Sequence, residues 1–251
     1  MSTKEAGWWT KFFVDFRPIF GTIDPKTTKA QAKYIIKKLD LKAGKTFLDC
    51  PSGIGRLSFP IARTGAKVTC VDLTKSYLDE IDIKTKQAKL KIKTVNGDMR
   101  RVNFKSQFDT AGNLGTSIGY FPKESDNFVV LKKMYQALKP GGKFVVHVSN
   151  RDWIVANFQK RDWLELGNNS MLVQDRTFNF ETSVLKAIWT YYKDGLQKSY
   201  DVTIRLYSFH ELAELFRKAG FVDIEGFGSV MDDPVSQQSR TMWVFGTKPR
   251  K

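Results

Sequence analysis

Three aspartates stand at the ends of hydrophobic segments that have the composition of buried β-strands. Asp49 ends "KTFLD", Asp72 ends "KVTCVD", and Asp98 follows "KIKTVNG". A carboxylate accepts hydrogen bonds from ribose hydroxyls or an adenine amino group, and it attracts a cationic amino group while repelling phosphate. Each aspartate alone could equally cap the helix after its strand. Together, with Asp49 at an amino group, Asp72 at a ribose and Asp98 at an adenine, they predict a nucleoside ligand without phosphate.

A glycine turn follows the first of these strands, within the segment "FLDCPSGIGRLSFPIA". Dinucleotide-binding turns carry the pattern G-x-G-x-x-G, which lets a pyrophosphate approach the backbone. Here Gly53 and Gly55 match the first two glycines of that pattern, but Arg56, Leu57 and Ser58 follow, so Ser58 stands where the last glycine belongs. Pro51, just before the pattern, stands where many nucleotide-binding turns place their first glycine. A P-loop is excluded because no G-K-[ST] follows the turn. The turn therefore also argues against a pyrophosphate ligand.

Strand-like and helix-like segments alternate through the first part of the chain. A helix with Thr28 as its expected N-cap precedes the first strand, and further helices are expected at about 75–88 and 124–138. Such alternation predicts a parallel, doubly wound sheet with helices on both faces. Ligands bind beyond the carboxyl ends of its strands, and Asn113 and Leu114 end the fourth strand. The last two strands, "VDIEGFGSV" and "TMWVFGT", are joined by a loop too short for a helix, so we expect them to be antiparallel.

The pattern changes over residues 151–207. The segments "MLVQDRTFNF", "SVLKAIWTYY" and "LQKSYDVTIRLY" have strand-like composition, and "KDG" at 193–195 is typical of a hairpin turn. We expect three antiparallel strands, inserted after the fifth strand, that form a lid or an interface. The helical pattern resumes at Ser208, which with Glu211 forms a capping box, and it ends at Gly220.

These motifs resemble those of the class I S-adenosylmethionine-dependent methyltransferases, from about Thr28 to the end of the sequence. "LDCPSGIGR" is similar to the first motif of a branch that carries proline at the first glycine position and usually cysteine at the position of Ser52. "VTCVDLT" and "GDMR" resemble the second and third motifs. The resemblance implies one domain over residues 1–251 with a Rossmann-like methyltransferase fold. That α/β fold is a doubly wound, mostly parallel seven-stranded sheet with an antiparallel last strand, here with an inserted antiparallel β flap.

The resemblance also implies S-adenosyl-L-methionine as the cofactor and S-adenosyl-L-homocysteine as the product. Carried over position by position, it places the cofactor contacts at the strand ends described above. The implied contacts are Asp49, Ser52, Gly53 and Gly55 at the methionine part, Asp72 and Leu73 at the ribose, Asp98 and Met99 at the adenine, and Asn113 and Leu114 at the sulfonium.

The acceptor side of the site has no compelling catalytic residue in the sequence. Methyl transfer from a sulfonium is an in-line displacement whose leaving group needs no acid, so orientation and desolvation of the acceptor can supply much of the catalysis. Tyr120, which follows the fourth strand, and His210, in the first turn of a predicted helix, are the candidates for a base. The residues expected to contact the substrate are Trp9, Arg17, Tyr120, Arg151 and Trp153.

Residues 1–27 are expected to form an aromatic helical cover over the site. The aromatic face of this segment consists of Trp8, Trp9, Phe12, Phe13 and Phe16. In the resembled family a helix of this kind often covers the cofactor, and large apolar side chains near a terminus need a partner surface. The alternative is that these side chains only pack on the core.

Composition leaves three hypotheses about function. The net charge of +15 and the pI near 9.7 favour anionic partners. The first hypothesis is methyl transfer to a nitrogen or oxygen of a small molecule. The second is methylation of tRNA or rRNA through the basic surface, although no segment resembles an appended RNA-binding module. The third is a non-catalytic cofactor-binding assembly protein, a homodimer formed through exposed Trp189, Tyr191 and Tyr192 of the inserted sheet.

Cysteine content and hydropathy bear on the cellular setting. Cys50 and Cys70 fit a reducing compartment, and without histidines at ligand spacing they form no zinc site, so no metal is expected. No apolar run approaches the roughly 20 residues that a membrane span needs. The N-terminal sequence lacks the apolar region of a secretory signal. These observations predict a cytoplasmic protein without a membrane segment.

Overall fold

The computed structural model describes residues 7–15, 17–167 and 169–250, so the expected contribution of Phe16 lies outside the described residues. In chain order, the helices and strands are α1 (Trp9–Asp15), a 3-10 helix (Arg17–Thr22), α2 (Pro25–Lys38), β1 (Thr46–Asp49), α3 (Ser58–Ala62), β2 (Lys67–Asp72), α4 (Lys75–Gln87), β3 (Ile92–Asn96), β4 (Phe108–Asn113), α5 (Glu124–Ala137), β5 (Leu138–Ser149), α6 (Arg151–Ala156), β6 (Arg161–Gly167), β7 (Ser170–Asn179), β8 (Val184–Lys193), β9 (Leu196–Arg205), α7 (Phe209–Ala219), β10 (Val222–Phe227) and β11 (Thr241–Thr247). None of the described helices is long and apolar enough to span a membrane.

The main sheet has seven strands in the order β10-β11-β5-β4-β1-β2-β3. The pairs from β5 to β3 are parallel, and β11 runs antiparallel to both β10 and β5. This topology confirms the predicted mostly parallel sheet with an antiparallel last strand. The direction of winding reverses between β1 and β4, where Asp49 pairs with Gly112. The crevice at such a reversal is where open α/β sheets bind their ligands.

Alternation along β5 divides the hydrophobic core between the two faces of the sheet. Val146 packs with Phe216 of α7 on one face. Its neighbour Val145 points to the other face, where it packs with Ile35 of α2 and Trp243 of β11. Side chains that alternate with a period of two are buried on both sides only when helices cover both faces. The strand-end loops of this sheet are therefore held by a packed core on each side.

The inserted segment differs from the prediction in two respects. It contains four antiparallel strands in the order β6-β7-β8-β9, and the short helix α6 precedes them. Asn150 caps α6 by accepting a hydrogen bond from the backbone N–H of Asp152. The extra strand, β6, is a largely exposed edge strand without regular alternation of polar and apolar residues. The predicted "KDG" turn is confirmed, because Asp194 and Gly195 adopt left-handed φ angles between β8 and β9.

One face of the inserted sheet packs against α1. The ring of Phe12 is buried and lies edge-on to Trp189 and Tyr200, with centroids 5.0 and 5.3 Å away. Tyr191 is buried in the same cluster, whereas Tyr192 is on the opposite, exposed face. The expectation that Trp189 and Tyr191 are exposed is therefore wrong, because successive residues of a strand point to opposite faces.

The first turns of two helices show how local capping sets their boundaries. The predicted capping box of α7 is confirmed: the Ser208 hydroxyl accepts from the Glu211 N–H, and the Glu211 carboxylate accepts from the Ser208 N–H. Helix α2 begins earlier than the predicted Thr28. Asp24 supplies its N-cap and Pro25 occupies its first position, where a missing N–H costs nothing.

Candidate active site

A cavity opens at the carboxyl ends of β1, β2 and β4. Loops after these strands form its floor, and Trp9 and Phe13 of α1, with Phe20 of the 3-10 helix, close it on the opposite side. All the implied cofactor contacts line this cavity except Gly55 and Asn113. The contacts that it brings together are Asp49, Ser52, Gly53, Asp72, Leu73, Asp98, Met99 and Leu114.

The glycine turn is fixed by the aspartate at the end of the neighbouring strand. Gly53 has a left-handed φ of 53°, and its N–H donates to Asp72 Oδ2 at 2.8 Å. Gly55 has a φ of 74°, and a Cβ at this position would lie 3.0 Å from Ile81 Cγ1 of α4. Glycine is required at position 55 for the backbone conformation and for close packing on α4. Gly55 therefore shapes the turn from behind the cavity wall.

Asp49 is the most buried of the three aspartates. It is 2% exposed, its Oδ2 accepts a 2.6 Å hydrogen bond from the Ser58 hydroxyl, and its Oδ1 has no hydrogen-bond partner in the described part of the chain. Burial raises the pKa of Asp49 to about 7; the hydrogen bond from Ser58 and the charge of Arg56 oppose this rise, and the nearby Asp72 adds to it. A cationic group placed at Oδ1 would satisfy this oxygen and favour the carboxylate form.

Asp72 links the turn after β1 to the loop after β2. Its Oδ2 accepts from the Gly53 N–H, and its Oδ1 accepts from the Thr74 N–H at 2.8 Å. Burial raises the pKa of Asp72, and these backbone N–H groups oppose the rise. Each carboxylate oxygen can accept a second hydrogen bond. Asp72 can therefore bind ligand hydroxyls while it holds the turn in place.

Asp98 is engaged by a neighbouring arginine. The Arg100 guanidinium donates to both Asp98 oxygens, at 2.6 Å in the shortest case, and the Arg100 backbone N–H donates to Oδ1. Arg100 also pairs with Asp126 at 3.2 Å and lies over the Phe121 ring. Burial alone would raise the pKa of Asp98, but Arg100 holds it below the usual value. Asp98 is thus an ionised acceptor in the cavity wall with most of its hydrogen-bonding capacity in use.

Asn113 lies behind the cavity. It is fully buried, and its amide nitrogen donates to the Cys50 carbonyl at 2.9 Å, with the Met99 sulfur at 3.6 Å. These bonds tie the end of β4 to the turn after β1. The next residue, Leu114, provides the side chain that reaches the cavity wall. Asn113 therefore supports this part of the cavity wall from behind.

The wall opposite the glycine turn is aromatic. The ring of Tyr120 stacks on Phe13 with 6.0 Å between centroids, and Trp9 meets Phe121 edge-on at 5.0 Å. Burial raises the pKa of Tyr120, and a hydrogen bond with Ser117 offsets part of this rise. The phenol is therefore protonated at neutral pH. It can donate a hydrogen bond in the cavity but is not prepared to take up a proton.

Two arginines predicted at the site are engaged outside the cavity. Arg17 forms a bidentate ion pair with Glu80 of α4, at 2.8 and 3.0 Å. Arg151 forms ion pairs with Asp152 at 2.8 Å and with Glu211 of α7 at 3.0 Å. Both guanidinium groups therefore stabilise contacts between elements of the fold in this structure.

Trp153 and the two histidines also lie outside the cavity lining. Trp153 packs near Arg240, whose guanidinium carbon is 5.4 Å from the ring centroid. His210 is exposed in the first turn of α7. His147 is buried in β5 and stacks on Trp243 at 4.0 Å, and neither ring nitrogen has a hydrogen-bond partner in the described ranges. Burial, together with the charge of Arg56, lowers the pKa of His147 to about 3, so this imidazole is neutral.

The side chains of the cavity fit the cofactor that the sequence resemblance implies. Three carboxylates line it, whereas Arg56 is the single cationic side chain of its described lining, which suits a ligand with a sulfonium and an ammonium group. The unpartnered Oδ1 of Asp49 offers a place for the ammonium. The sequence analysis did not predict that Arg56 lines the cavity or that Ser58 donates to Asp49, since both residues were considered only as positions in an incomplete glycine pattern.

The chain is similar to known proteins in sequence and in structure. Residues 47–142 match a family model described as a methyltransferase domain. The cypemycin N-terminal methyltransferase of Streptomyces sp is 31% identical over 99 residues, which are 39% of this chain and 40% of that relative, so the chain spans less than half of its length. The demethylmenaquinone methyltransferase of Geobacillus sp. (strain WCH70) is 25% identical over 201 residues, 76% of each protein. A solved S-adenosylmethionine-dependent methyltransferase from Clostridium acetobutylicum ATCC 824 shares the fold, with a TM-score of 0.79, 16% identity and coverage of 96% of this chain and 99% of that one.

Proposed function

We propose that this chain, which is a class I S-adenosylmethionine-dependent methyltransferase, transfers the methyl group to a nitrogen or oxygen of a small organic molecule. The observation that carries the proposal is one cavity that joins the strand-end carboxylates to an enclosed aromatic wall. Helix α1 closes this cavity, which favours a small acceptor over a polymer. The relatives named as a cypemycin N-terminal methyltransferase and as a demethylmenaquinone methyltransferase support an organic acceptor.

The residues around the glycine turn hold the methyl donor. Asp72 accepts the ribose hydroxyls, Asp98 and Met99 lie at the adenine, and the carboxylate of Asp49 pairs with the ammonium group. When bound, the cofactor supplies a methyl group on a positively charged sulfur that becomes a neutral leaving group. These residues would thus hold the donor at its adenosine and amino-acid ends, in the same cavity as the aromatic wall.

Orientation and exclusion of water are the contributions of the aromatic wall. Trp9, Phe13 and Phe121 exclude water from the acceptor, which raises the reactivity of a nitrogen or oxygen lone pair. Tyr120 and Ser117 are the hydroxyl groups on this side of the cavity, and either can donate a hydrogen bond that orients the acceptor. An acceptor that is already neutral and nucleophilic needs no base. The exposed His210 takes no part in this mechanism.

Titration of S-adenosylhomocysteine and screening with labelled methyl donor test the proposal. Asp72→Ala is expected to weaken binding about 100-fold or more, because hydrogen bonds to a charged group contribute roughly 1.5 to 3 kcal/mol each. Asp79→Ala, at an exposed carboxylate that pairs with Lys75 on α4, is the control. Labelled product from a pool of small metabolites supports the proposed acceptor class. Unchanged affinity in Asp72→Ala would overturn the site.

Two partner hypotheses are separated from this proposal by simple measurements. An RNA substrate would bind with an affinity that falls steeply with salt, with a log–log slope of several units, and would be methylated in place of the metabolites. Dimerisation through the inserted sheet would use its outer face, which carries Trp163, Ile188 and Tyr192 in exposed positions. Light scattering measures the molar mass of the unaltered protein and of Ile188→Glu, which should disrupt that interface. A monomeric mass for the unaltered protein excludes the dimer.

A further inference from the structure

Four lysines lie together at the amino ends of three neighbouring strands, at the edge of the main sheet opposite the cavity. These four lysines, here called the basic edge, are Lys45 before β1, Lys67 at the start of β2, and Lys89 and Lys91 before β3. The Lys67 N–H donates to the Lys45 carbonyl at 2.8 Å, and the Val68 N–H donates to the Lys91 carbonyl at 3.3 Å. Paired strands lie about 4.8 Å apart, so three of the lysines form a row about 10 Å long.

The basic edge is not neutralised by carboxylates of the described residues. Three of its lysines are exposed and the fourth is half-buried, and none of them forms an ion pair in the described ranges. Asp40 and Asp109 lie close to the start of β1, but each is paired with a different lysine. Asp40 pairs with Lys42 at 2.8 Å, and Asp109 pairs with Lys139 at 3.1 Å. The row therefore carries uncompensated positive charge.

The usual structural roles of surface lysines do not account for this row. A lysine on an edge strand discourages pairing with other chains, which accounts for Lys91 beside β3. Strand β2 has a partner on each side, so Lys67 has no open edge to protect. Lysines also stabilise the carboxyl ends of helices, but Lys45 and Lys67 lie at strand starts. Lys67 and Lys91 precede the paired residues Val68 and Ile92, and like charges side by side on paired strands are destabilising. The arrangement therefore indicates an anionic partner.

We propose that the basic edge binds the phosphate backbone of a double-stranded nucleic acid. Phosphates repeat about every 3.4 Å of axis along each strand of a duplex, so a row about 10 Å long spans about three of them. Proteins that hold single strands offer aromatic rings to the bases, and helices that bind membrane surfaces bury apolar side chains in them. The exposed large hydrophobic side chains of the described residues all lie outside the strands and loops that carry the four lysines. A duplex backbone, which needs only positive charge, fits this surface best.

The basic edge and the cavity lie at opposite ends of the same strands. Strand β2 runs from Lys67 to Asp72, which lines the cavity, and this span is about 16 Å at 3.3 Å per residue. A duplex bound at the amino ends of the strands leaves the cavity open to a small acceptor. The nucleic acid is thus a docking partner and not the methyl acceptor. This inference does not depend on the proposed function.

Fluorescence anisotropy with a labelled DNA duplex and an RNA duplex of the same sequence tests the basic edge. The edge variant combines Lys45→Gln, Lys67→Gln and Lys91→Gln. The control variant combines substitutions of exposed lysines from separate parts of the chain, Lys29→Gln, Lys160→Gln and Lys193→Gln. Each variant loses three positive charges, so the net charge falls from +15 to +12 in both. Circular dichroism checks that both variants are folded.

The edge variant is expected to lose duplex affinity, whereas the control variant is expected to keep most of it. At about 50 mM salt the edge variant should bind more than about 10-fold more weakly than the unaltered protein. Its log–log slope against salt should be smaller by about 2 to 3, because each phosphate contact contributes about 0.9. The duplex that the unaltered protein binds more tightly identifies the kind of nucleic acid.

Four results would overturn the proposal. Equal weakening by the two variants would assign binding to net charge alone, and no binding of either duplex at low salt would exclude the partner. Sedimentation with vesicles of phosphatidylcholine and phosphatidylserine tests a membrane instead: vesicle binding lost in the edge variant, with duplex binding unchanged, would identify a lipid surface. Transfer of labelled methyl groups to the duplex would make it a substrate. Failure of the proposed function would appear separately, as absence of S-adenosylhomocysteine binding.

Discussion

The affinity for S-adenosylhomocysteine should fall as the pH is lowered through 7, and Asp49 should be the cause. In the free protein burial raises the pKa of Asp49 to about 7, so this carboxyl is largely protonated at pH 6. Pairing with the ligand ammonium requires the ionised carboxylate. The pKa of Asp49 is therefore higher in the free protein than in the complex, and binding is linked to release of a proton below pH 7.

The size of this change in affinity follows from the fraction of protein molecules in which Asp49 is ionised. With a pKa of about 7, Asp49 is ionised in about three quarters of molecules at pH 7.5 and in about 3% at pH 5.5. The apparent dissociation constant should therefore rise about 25-fold between these values. An α-amino group has a pKa near 8, so the ligand remains mostly cationic throughout. Calorimetric titrations at half-unit steps from pH 7.5 to 5.5 measure the rise.

Two comparisons identify the titrating group. Asp49→Asn should bind more weakly at pH 7.5 and lose most of the pH dependence, because its side chain no longer titrates. 5′-Methylthioadenosine lacks the ammonium but keeps the ribose, so any pH dependence from Asp72 appears in its binding while that from Asp49 does not. A flat profile for S-adenosylhomocysteine in the unaltered protein would refute the reasoning. So would a profile that is unchanged in Asp49→Asn.

Three further substitutions test features of the fold and site. Gly55→Ala should destabilise the protein by about 1 to 2 kcal/mol in urea unfolding, because alanine is strained at a φ of 74° and its Cβ would crowd Ile81, whereas Gly21→Ala, with open space around it, should have little effect. Below pH 6.5, His147→Phe should have a higher free energy of unfolding than the parent. The difference should grow by about 1.4 kcal/mol for each pH unit between 6.5 and 3. The difference has this sign because His147 has a pKa of about 3 in the folded protein, so between pH 6.5 and 3 only the unfolded chain takes up a proton at this residue. A difference in free energy of unfolding that is the same at pH 6 and pH 5 would contradict this reasoning. Tyr120→Phe should keep its donor affinity and the shape of its pH–rate profile, because the phenol remains protonated; loss of an alkaline limb would instead identify Tyr120 as a base.

The parallel core and the donor side of the cavity were predictable because local patterns specify them. Asp49, Asp72 and Asp98 each follow an apolar strand, and parallel strands bring their carboxyl ends to one edge of the sheet. The missing glycine at Ser58 argued against a pyrophosphate ligand, and the resemblance of the motifs implied S-adenosylmethionine. The actual use of Ser58, a hydrogen bond to Asp49, was not predictable, since it depends on the exact approach of α3 to β1.

The acceptor side was harder to predict because long-range packing forms it. Trp9 lies in the cavity wall as expected. Arg17 and Arg151 do not, because Arg17 forms an ion pair with Glu80 and Arg151 with Glu211. A charge in the sequence does not reveal which carboxylate will be nearest after folding. The strand β6 was missed for a related reason: its pairing with β7, and not its own alternation, makes it a strand.

The N-terminal helix joins the donor-binding core to the inserted sheet. The Tyr77 hydroxyl of α4 donates to the Phe13 carbonyl, while the Trp8 indole N–H donates to the Thr203 carbonyl of β9 at 3.1 Å, and Lys198 pairs with Asp15 at 2.7 Å. Helix α1 and the inserted sheet are therefore held together as one packed unit. A chimera that replaces only one of them would lose the aromatic contacts of Phe12 with Trp189 and Tyr200. Replacement of both would keep those contacts and leave the strand-end carboxylates of the main sheet unaltered.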